Sequence, residues 1–155
     1  MVTRVKVEGL KELDAALGEL PKSTAKAVLR RILKKAGQPI ADTAEQLAPR
    51  DDGTLAESIG VSTKLTSRQR SQHRKMFKND KASVEMFVGA GGLPQAHIQE
   101  FGSENIVTPQ PFMRPAWDQH QNEALEIIKT NLGDEIIAAA KRLARKAARQ
   151  AAKGK

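Results

Sequence analysis

The chain has 155 residues, no cysteine, and a net charge of +8 from 26 Lys and Arg against 18 Asp and Glu. A chain of this length can form one domain with a sizeable core, and the lack of cysteine excludes disulfides, thiolate nucleophiles and cysteine-based zinc sites. No apolar run approaches the roughly 20 residues that span a bilayer, so we expect a protein made in the cytoplasm without a membrane partner. Aromatic residues make up only 3% of the chain, which argues against stacking platforms for single-stranded nucleic acid.

The positive charge is concentrated in two segments. Residues 136–155 contain seven basic residues and no acidic one, and residues 64–81 contain seven basic residues against Asp80 alone. Such segments favour contact with a polyanion, but a solvated surface or a contact with an acidic partner is equally open. The candidate polyanion contacts are Arg68, Arg70, Arg74, Lys75, Lys141, Arg142, Arg145 and Lys146.

The first part of the chain shows a strand and two helices. Residues 2–7 alternate between polar and apolar side chains, which predicts a short strand. Leucines at helical spacing predict a helix over 10–20, and a longer apolar stripe predicts a second helix over 22–47. Because Gly37 and Pro39 lie inside this second helix, we expect a kink there or two abutting helices.

The middle of the chain has the period of a hairpin. Residues 55–65 and 82–90 alternate in hydrophobicity, and we expect them to pair as antiparallel strands. The basic segment 66–81 between them has no apolar face, so we expect an exposed loop or hairpin tip. The glycine-rich residues 89–94 lack the spacing of a phosphate-binding loop and predict a turn.

The last part of the chain predicts a short turn followed by a long helix. We expect a short strand or turn over 96–102 with Phe101 in the core, and a helix from Pro115 to the end. The whole is an α+β fold, with a small antiparallel sheet packed by two long helices and a short N-terminal helix. We expect a single domain over 1–140 and a frayed basic helical tail over 141–155, because alanine dominates the apolar side of that tail.

Candidates for catalysis are few. His97 and Glu100 are three residues apart, but nearby glycine and proline argue against the helix that would make them metal ligands, and no third ligand is evident. We expect His97 at the surface, and His73 and His120 in solvent. No cofactor or metal site is predicted. A small basic nuclease or toxin that uses His97 and Glu100 is the enzyme alternative.

Three turn segments, taken in order, resemble the tail-completion or neck protein family of long-tailed bacteriophages. The first segment matches with Ala48, Pro49, Gly53 and Leu55. In the family, the glycine and the leucine of this segment open a strand. The second matches with Glu100, Phe101 and Gly102, and the third with Pro111, Phe112, Arg114, Pro115 and Ala116. Ser103 departs from the pattern, since the family usually has threonine there.

The resemblance implies a virion structural protein without catalysis. Its members look like subunits of a ring, commonly sixfold, that joins a head-closure or adaptor protein to a tail terminator protein, with DNA passing through the ring. The matching residues would be fold-defining or subunit contacts, and Phe112 and Arg114 would hold the last helix against the sheet or the next subunit. The protein would be made in the host cytoplasm and reside in the neck of the virion. The alternative function is a basic nucleic-acid-binding protein that uses the two basic segments.

Overall fold

A computed structural model of the chain describes residues 10–78, 84–104 and 108–154, so the strand predicted over residues 2–7 lies outside the described part. The elements in chain order are α1 Leu10–Gly18, α2 Lys22–Leu47, α3 Thr54–Glu57, β1 Gly60–Ser62, α4 Ser67–Met76, β2 Phe87–Gly89, α5 Pro94–Phe101 and α6 Met113–Lys153. The described part is mostly helical with one small antiparallel sheet, which confirms the α+β class.

The antiparallel pair of α2 and α6 forms the frame of the fold. Side-chain contacts fix its register: Arg31 with Glu135, Lys35 with Asn131, and Thr43 with His120. Exposed contacts such as Arg31–Glu135 and Lys35–Asn131 contribute little to stability. The main stabilisation therefore comes from apolar burial between the two helices, which involves Val28, Ile32, Leu132, Ile136 and Ala139.

The sheet packs against α2 at Gly37. A Cβ atom on Gly37 would lie 2.9 Å from Cγ2 of Val88 and 3.2 Å from Cγ2 of Val61, so glycine is what allows the strands to approach the helix this closely. The helix also continues through Pro39 without interruption. The alternative of two abutting helices is therefore wrong, and the kink stays a prediction. Packing of the turn that follows, with Ile40 and Ala41 buried, compensates for the backbone hydrogen bond that proline cannot donate.

The sheet is confirmed but short. β1 and β2 pair antiparallel with Val61 opposite Val88, as the alternating pattern predicted, but each strand has only three residues. The predicted strand over 55–65 is wrong at its start, because Leu55 lies in α3 and is buried there. Residues 82 and 83 of the other predicted strand lie outside the described part.

The basic segment predicted as a loop or hairpin tip contains a helix instead. α4 begins with a capping box in which Thr66 Oγ1 accepts the Gln69 backbone N–H at 3.3 Å and Gln69 Oε1 accepts the Thr66 N–H at 2.9 Å. These bonds satisfy two N–H donors at the start of α4, so the helix can begin there without an apolar face. Residues 79–81 of the segment lie outside the described part.

The segment predicted as a short strand or turn over 96–102 is also helical. Pro94 occupies the start of α5, where its missing N–H costs nothing, and Gly102 ends the helix with a φ of +77°. The prediction of a short strand or turn over 96–102 is therefore wrong.

The last helix is confirmed and reaches Lys153. Trp117, near the start of this helix, is 54% exposed. The division into a domain over 1–140 and a frayed tail over 141–155 stays a prediction.

Candidate functional site

The candidate site is the junction where Glu100 meets the first turn of α6, which we call the α6 corner. Glu100 Oε2 accepts the backbone N–H groups of Phe112 at 2.8 Å and Met113 at 3.0 Å, and Oε1 accepts that of Arg114 at 3.0 Å. The first N–H groups of a helix have no partner within the helix, so one carboxylate here supplies what an N-cap residue normally supplies. The contact ties the end of α5 to the start of α6.

The electrostatics of the α6 corner favour the ionised carboxylate. Partial burial raises the pKa of Glu100, but the backbone hydrogen bonds from Met113, Phe112 and Arg114 lower it, and so does the charge of Arg114. The hydrogen bonds and the charge prevail, and the pKa of Glu100 lies below its ordinary value. Glu100 is therefore an anion at neutral pH, and the positive end of the α6 dipole stabilises it further.

Phe112 anchors the α6 corner in the core. Only 1% of its surface is exposed, and Ala116, one turn later, is fully buried. The cluster around it includes Ile40, Ala41 and Ala44 of α2 together with Leu55, Ala56 and Ile59. Phe112 thus holds the start of α6 against α2 and α3 of its own chain, while partly buried valines of the sheet pack on the same cluster. A subunit-contact role for Phe112 and Arg114 stays a prediction.

Two backbone hydrogen bonds tie the ends of the connection between α5 and α6 to α5. The Gln110 N–H donates to the Gln99 carbonyl at 2.7 Å, and the Gly102 N–H donates to the Ile98 carbonyl at 2.7 Å. Pro111 is exposed and Pro115 is half-buried on either side of Phe112.

The first turn segment is fixed by its own hydrogen bond. Gly53 has a φ of +82°, a conformation that favours glycine, and Asp52 Oδ1 accepts the Thr54 N–H at 3.0 Å. This bond lowers the pKa of Asp52. The turn places Leu55 in the core, while Pro49 is half-buried.

The fold brings the three turn segments together. Ala48 and Leu55 of the first segment share one buried cluster with Phe112 and Ala116 of the third. Glu100 of the second segment binds the third through the α6 corner. Residues that are up to 68 positions apart (Ala48 to Ala116) therefore form one structural unit.

Large apolar side chains are exposed at this end of the molecule. Phe101 is 68% exposed, so its predicted place in the core is wrong. The Phe101 ring instead lies 4.9 Å from that of His97. Trp117 in the first turns of α6 and Leu47 in the last turn of α2 are also exposed, at 54% and 43%. The antiparallel register of α2 and α6 places these two residues at the same end of the helix pair.

The structure places His97 and Glu100, the pair considered for catalysis, on the same helix α5. His97 is exposed, as predicted, and it does share a helix with Glu100, but that carboxylate is engaged by three N–H groups. Over residues 10–78, 84–104 and 108–154, no cluster of three or more possible ligands could hold a metal ion.

The other two histidines are structural, so the prediction that they lie in solvent is wrong. His120 Nε2 lies 2.7 Å from Thr43 Oγ1 and its Nδ1 lies 2.6 Å from Glu123 Oε2, so His120 links α6 to α2. The His73 ring packs against two aromatic rings, and its centroid lies 4.9 Å from the centroid of the Phe77 ring and 5.2 Å from that of the Phe87 ring.

The candidate polyanion contacts lie on two separate helices. Arg68, Arg70, Arg74 and Lys75 are exposed on α4, and Lys141, Arg142, Arg145 and Lys146 are exposed on α6. Among the described residues, no hydrogen bond or ion pair joins any of these eight side chains to the Glu100 carboxylate.

Comparison with known proteins gives one family. A family model described as "Bacteriophage HK97-gp10, putative tail-component" matches residues 11–102, a range that includes the first two turn segments. Comparisons with curated proteins and with solved structures find no match. None of the helices in the described part has both the length and the apolar character needed to cross a membrane.

Proposed function

The chain belongs to the bacteriophage HK97-gp10 tail-component family, and we propose on that premise that it is a tail-completion or neck subunit that joins the head connector to the tail. The observation that carries the proposal is the family match over residues 11–102, more than half of the chain. Within that match lie the Pro49–Leu55 and Glu100–Gly102 segments on which the resemblance to neck proteins depends.

The geometry of the α6 corner supports a role in assembly. Exposed apolar side chains at one end of a molecule mark surfaces that bind other proteins, and Phe101, Trp117 and Leu47 supply such side chains here. The Glu100 contacts and the buried Phe112 ring fix the helices that present them. We propose that this end contacts a neighbouring subunit.

A ring is the assembly that we propose. Head-to-tail contacts between identical subunits close into a ring only when each contact has the correct rotation, which requires rigid contact surfaces. A ring of six subunits would have the head-closure or adaptor protein on one side and the tail terminator protein on the other. DNA would pass through its centre.

The proposed role is structural and not catalytic. Its support is the family, which is described as a tail component. The chain would act in the virion at the neck, after synthesis in the host cytoplasm, with no cofactor.

The test is to remove the protein from the phage that encodes it. A stop codon early in the gene should yield filled heads and separate tails in electron micrographs, and wild-type protein supplied in trans should restore joined particles. A variant with Phe101→Asp and Trp117→Asp should fold but fail to restore joining, whereas Glu104→Gln, an exposed change on the α5–α6 connection, should restore it. Joined heads and tails in the absence of the protein would contradict the proposal.

A further inference from the structure

The α6 helix extends beyond its partner helix. Arg31 of α2 contacts Glu135 of α6 in an antiparallel pair, so Lys22, nine residues before Arg31, lies beside residue 144, nine residues after Glu135. α2 begins there, but α6 continues to Lys153. These nine further residues correspond to about 13 Å of helix at 1.5 Å per residue.

The basic residues of this region lie on one face of α6. We call residues 141–153 the α6 terminal segment. At 3.6 residues per turn, its six basic side chains fall within an arc of about 140°, and all six are exposed: Lys141, Arg142, Arg145, Lys146, Arg149 and Lys153. The stripe that packs toward α2, which includes Leu132, Ile136 and Ala139, lies outside that arc. The basic face is therefore turned away from the core.

Carboxylates offset little of this charge. Residues 136–155 contain no Asp or Glu. Among the ion pairs of the described residues, only Arg142 of the six has a partner, Glu135 at 3.7 Å, and Glu135 also binds Arg31 at 3.0 Å. The basic face thus presents at least five positive charges that the described part of the protein does not neutralise.

We propose that the basic face of the α6 terminal segment binds the phosphate backbone of duplex DNA. From Lys141 to Lys153 the face spans 13 residues, about 18 Å along the helix axis, and duplex DNA presents one negative charge per about 1.7 Å of its axis. The segment can therefore contact several phosphates at once. It has no aromatic side chain to stack on a base, so it favours a duplex over a single strand and does not distinguish sequences.

The opposite face of the segment argues against a membrane surface as the ligand. That face consists of Leu143, Gln150 and alanines, namely Ala144, Ala147, Ala148 and Ala151. Helices that lie in a bilayer interface bury large apolar or aromatic side chains, and alanine offers too little area for that. Charge alone is therefore the basis of binding.

The experiment measures binding of the full-length protein to a short fluorescent duplex over a range of salt concentrations. One variant carries K141Q, R145Q, K146Q and R149Q, and a matched control carries R68Q, R70Q, R74Q and K75Q on α4. Each removes four exposed charges, and Gln has nearly the same helix propensity as Lys and Arg.

We expect the parent to bind two unrelated duplexes equally, with log affinity falling linearly against log salt. Loss of four phosphate contacts should reduce the magnitude of that slope by about 3 to 4, at about 0.9 per contact. The α4 control should keep most of the parent slope. A variant in which K141R, R145K, K146R and R149K exchange the cations should bind like the parent, and circular dichroism should show equal helix content in all four proteins.

Three results would overturn the proposal. They are an equal loss of slope in the α4 control, absence of duplex binding by the folded parent at low salt, and binding of the parent to anionic lipid vesicles but not to the duplex. The measurement uses purified protein and does not require the proposed place in the virion. A protein that binds DNA as described but is dispensable for joining heads to tails would refute the proposed function alone.

Discussion

Removing the Glu100 carboxylate should destabilise the protein through the start of α6. Glu100→Ala leaves three N–H groups without their acceptor, at Phe112, Met113 and Arg114. The bonds to Phe112 and Met113 are partly buried, whereas the Arg114 N–H is exposed and can bind water instead. The cost therefore comes mainly from two bonds.

The magnitude follows from the charge of the acceptor. Hydrogen bonds to an ionised group contribute about 1.5 to 3 kcal/mol each, and loss of an N-cap alone costs about 0.5 to 2 kcal/mol. Two partly buried bonds at the lower figure give about 3 kcal/mol for Glu100→Ala. Glu100→Gln keeps one acceptor oxygen without the charge and should lose about half as much. Glu104→Ala, an exposed change of the same charge, should stay within about 0.5 kcal/mol of the parent.

The assay is equilibrium unfolding in urea at several pH values. Because the pKa of Glu100 is lowered in the folded state, its stabilisation is complete above the unfolded pKa, about 4.3, and is lost as the pH falls through the folded pKa. The difference between the parent and Glu100→Ala should therefore be full at neutral pH and shrink in acid. A difference that does not change with pH, or a Glu100→Ala protein as stable as Glu104→Ala, would refute the reasoning.

Two further predictions concern packing and can be checked by the same unfolding assay. Phe112→Ala should lower the free energy of unfolding by about 3 to 5 kcal/mol, because the Phe112 ring is only 1% exposed. Phe101→Ala should change it by less than about 0.5 kcal/mol, because Phe101 is 68% exposed. Equal effects of the two substitutions would contradict the burial of Phe112. Gly37→Ala should lower the free energy of unfolding by about 1 to 3 kcal/mol, because the added Cβ would lie 2.9 Å from a Val88 side-chain atom. Gly133→Ala should raise it by about 0.5 to 1 kcal/mol, because alanine favours the helix and the added Cβ would lie 3.8 Å from its nearest side chain. A Gly37→Ala protein as stable as the parent would show that the sheet does not pack on α2 as described.

The long elements were predictable because their apolar period is long. α1, α2 and α6 each repeat apolar side chains at helical spacing, and the antiparallel pairing of β1 with β2 follows from alternation on both sides of one segment. Burial of individual residues was less predictable. Phe101 and Trp117 are apolar, yet both are exposed, because hydrophobicity alone does not determine whether a side chain is buried.

The short helices were missed for two different reasons. α4 has no apolar residue before Met76, so hydrophobic period gives no signal, although Thr66 and Gln69 have the spacing of a capping box and could have indicated the helix start. For α5, Pro94 and Gly102 are typical of a turn, but proline at the first position and glycine after the last also mark the two ends of a helix.

The α6 corner could not be predicted from the sequence. Glu100 binds N–H groups that follow it by twelve to fourteen residues, across a connection whose path no local pattern determines. The resemblance to neck proteins selected Glu100 and Phe112 as important residues. Only the structure shows that one is a helix cap and the other a core anchor.

The most direct test of the central claim is the position of the protein in the virion. Gold-labelled antibodies against the chain, applied to intact and to partly disassembled particles, should mark the junction of head and tail in electron micrographs. Label along the tail tube or at its distal tip, with none at the junction, would contradict the proposed neck role.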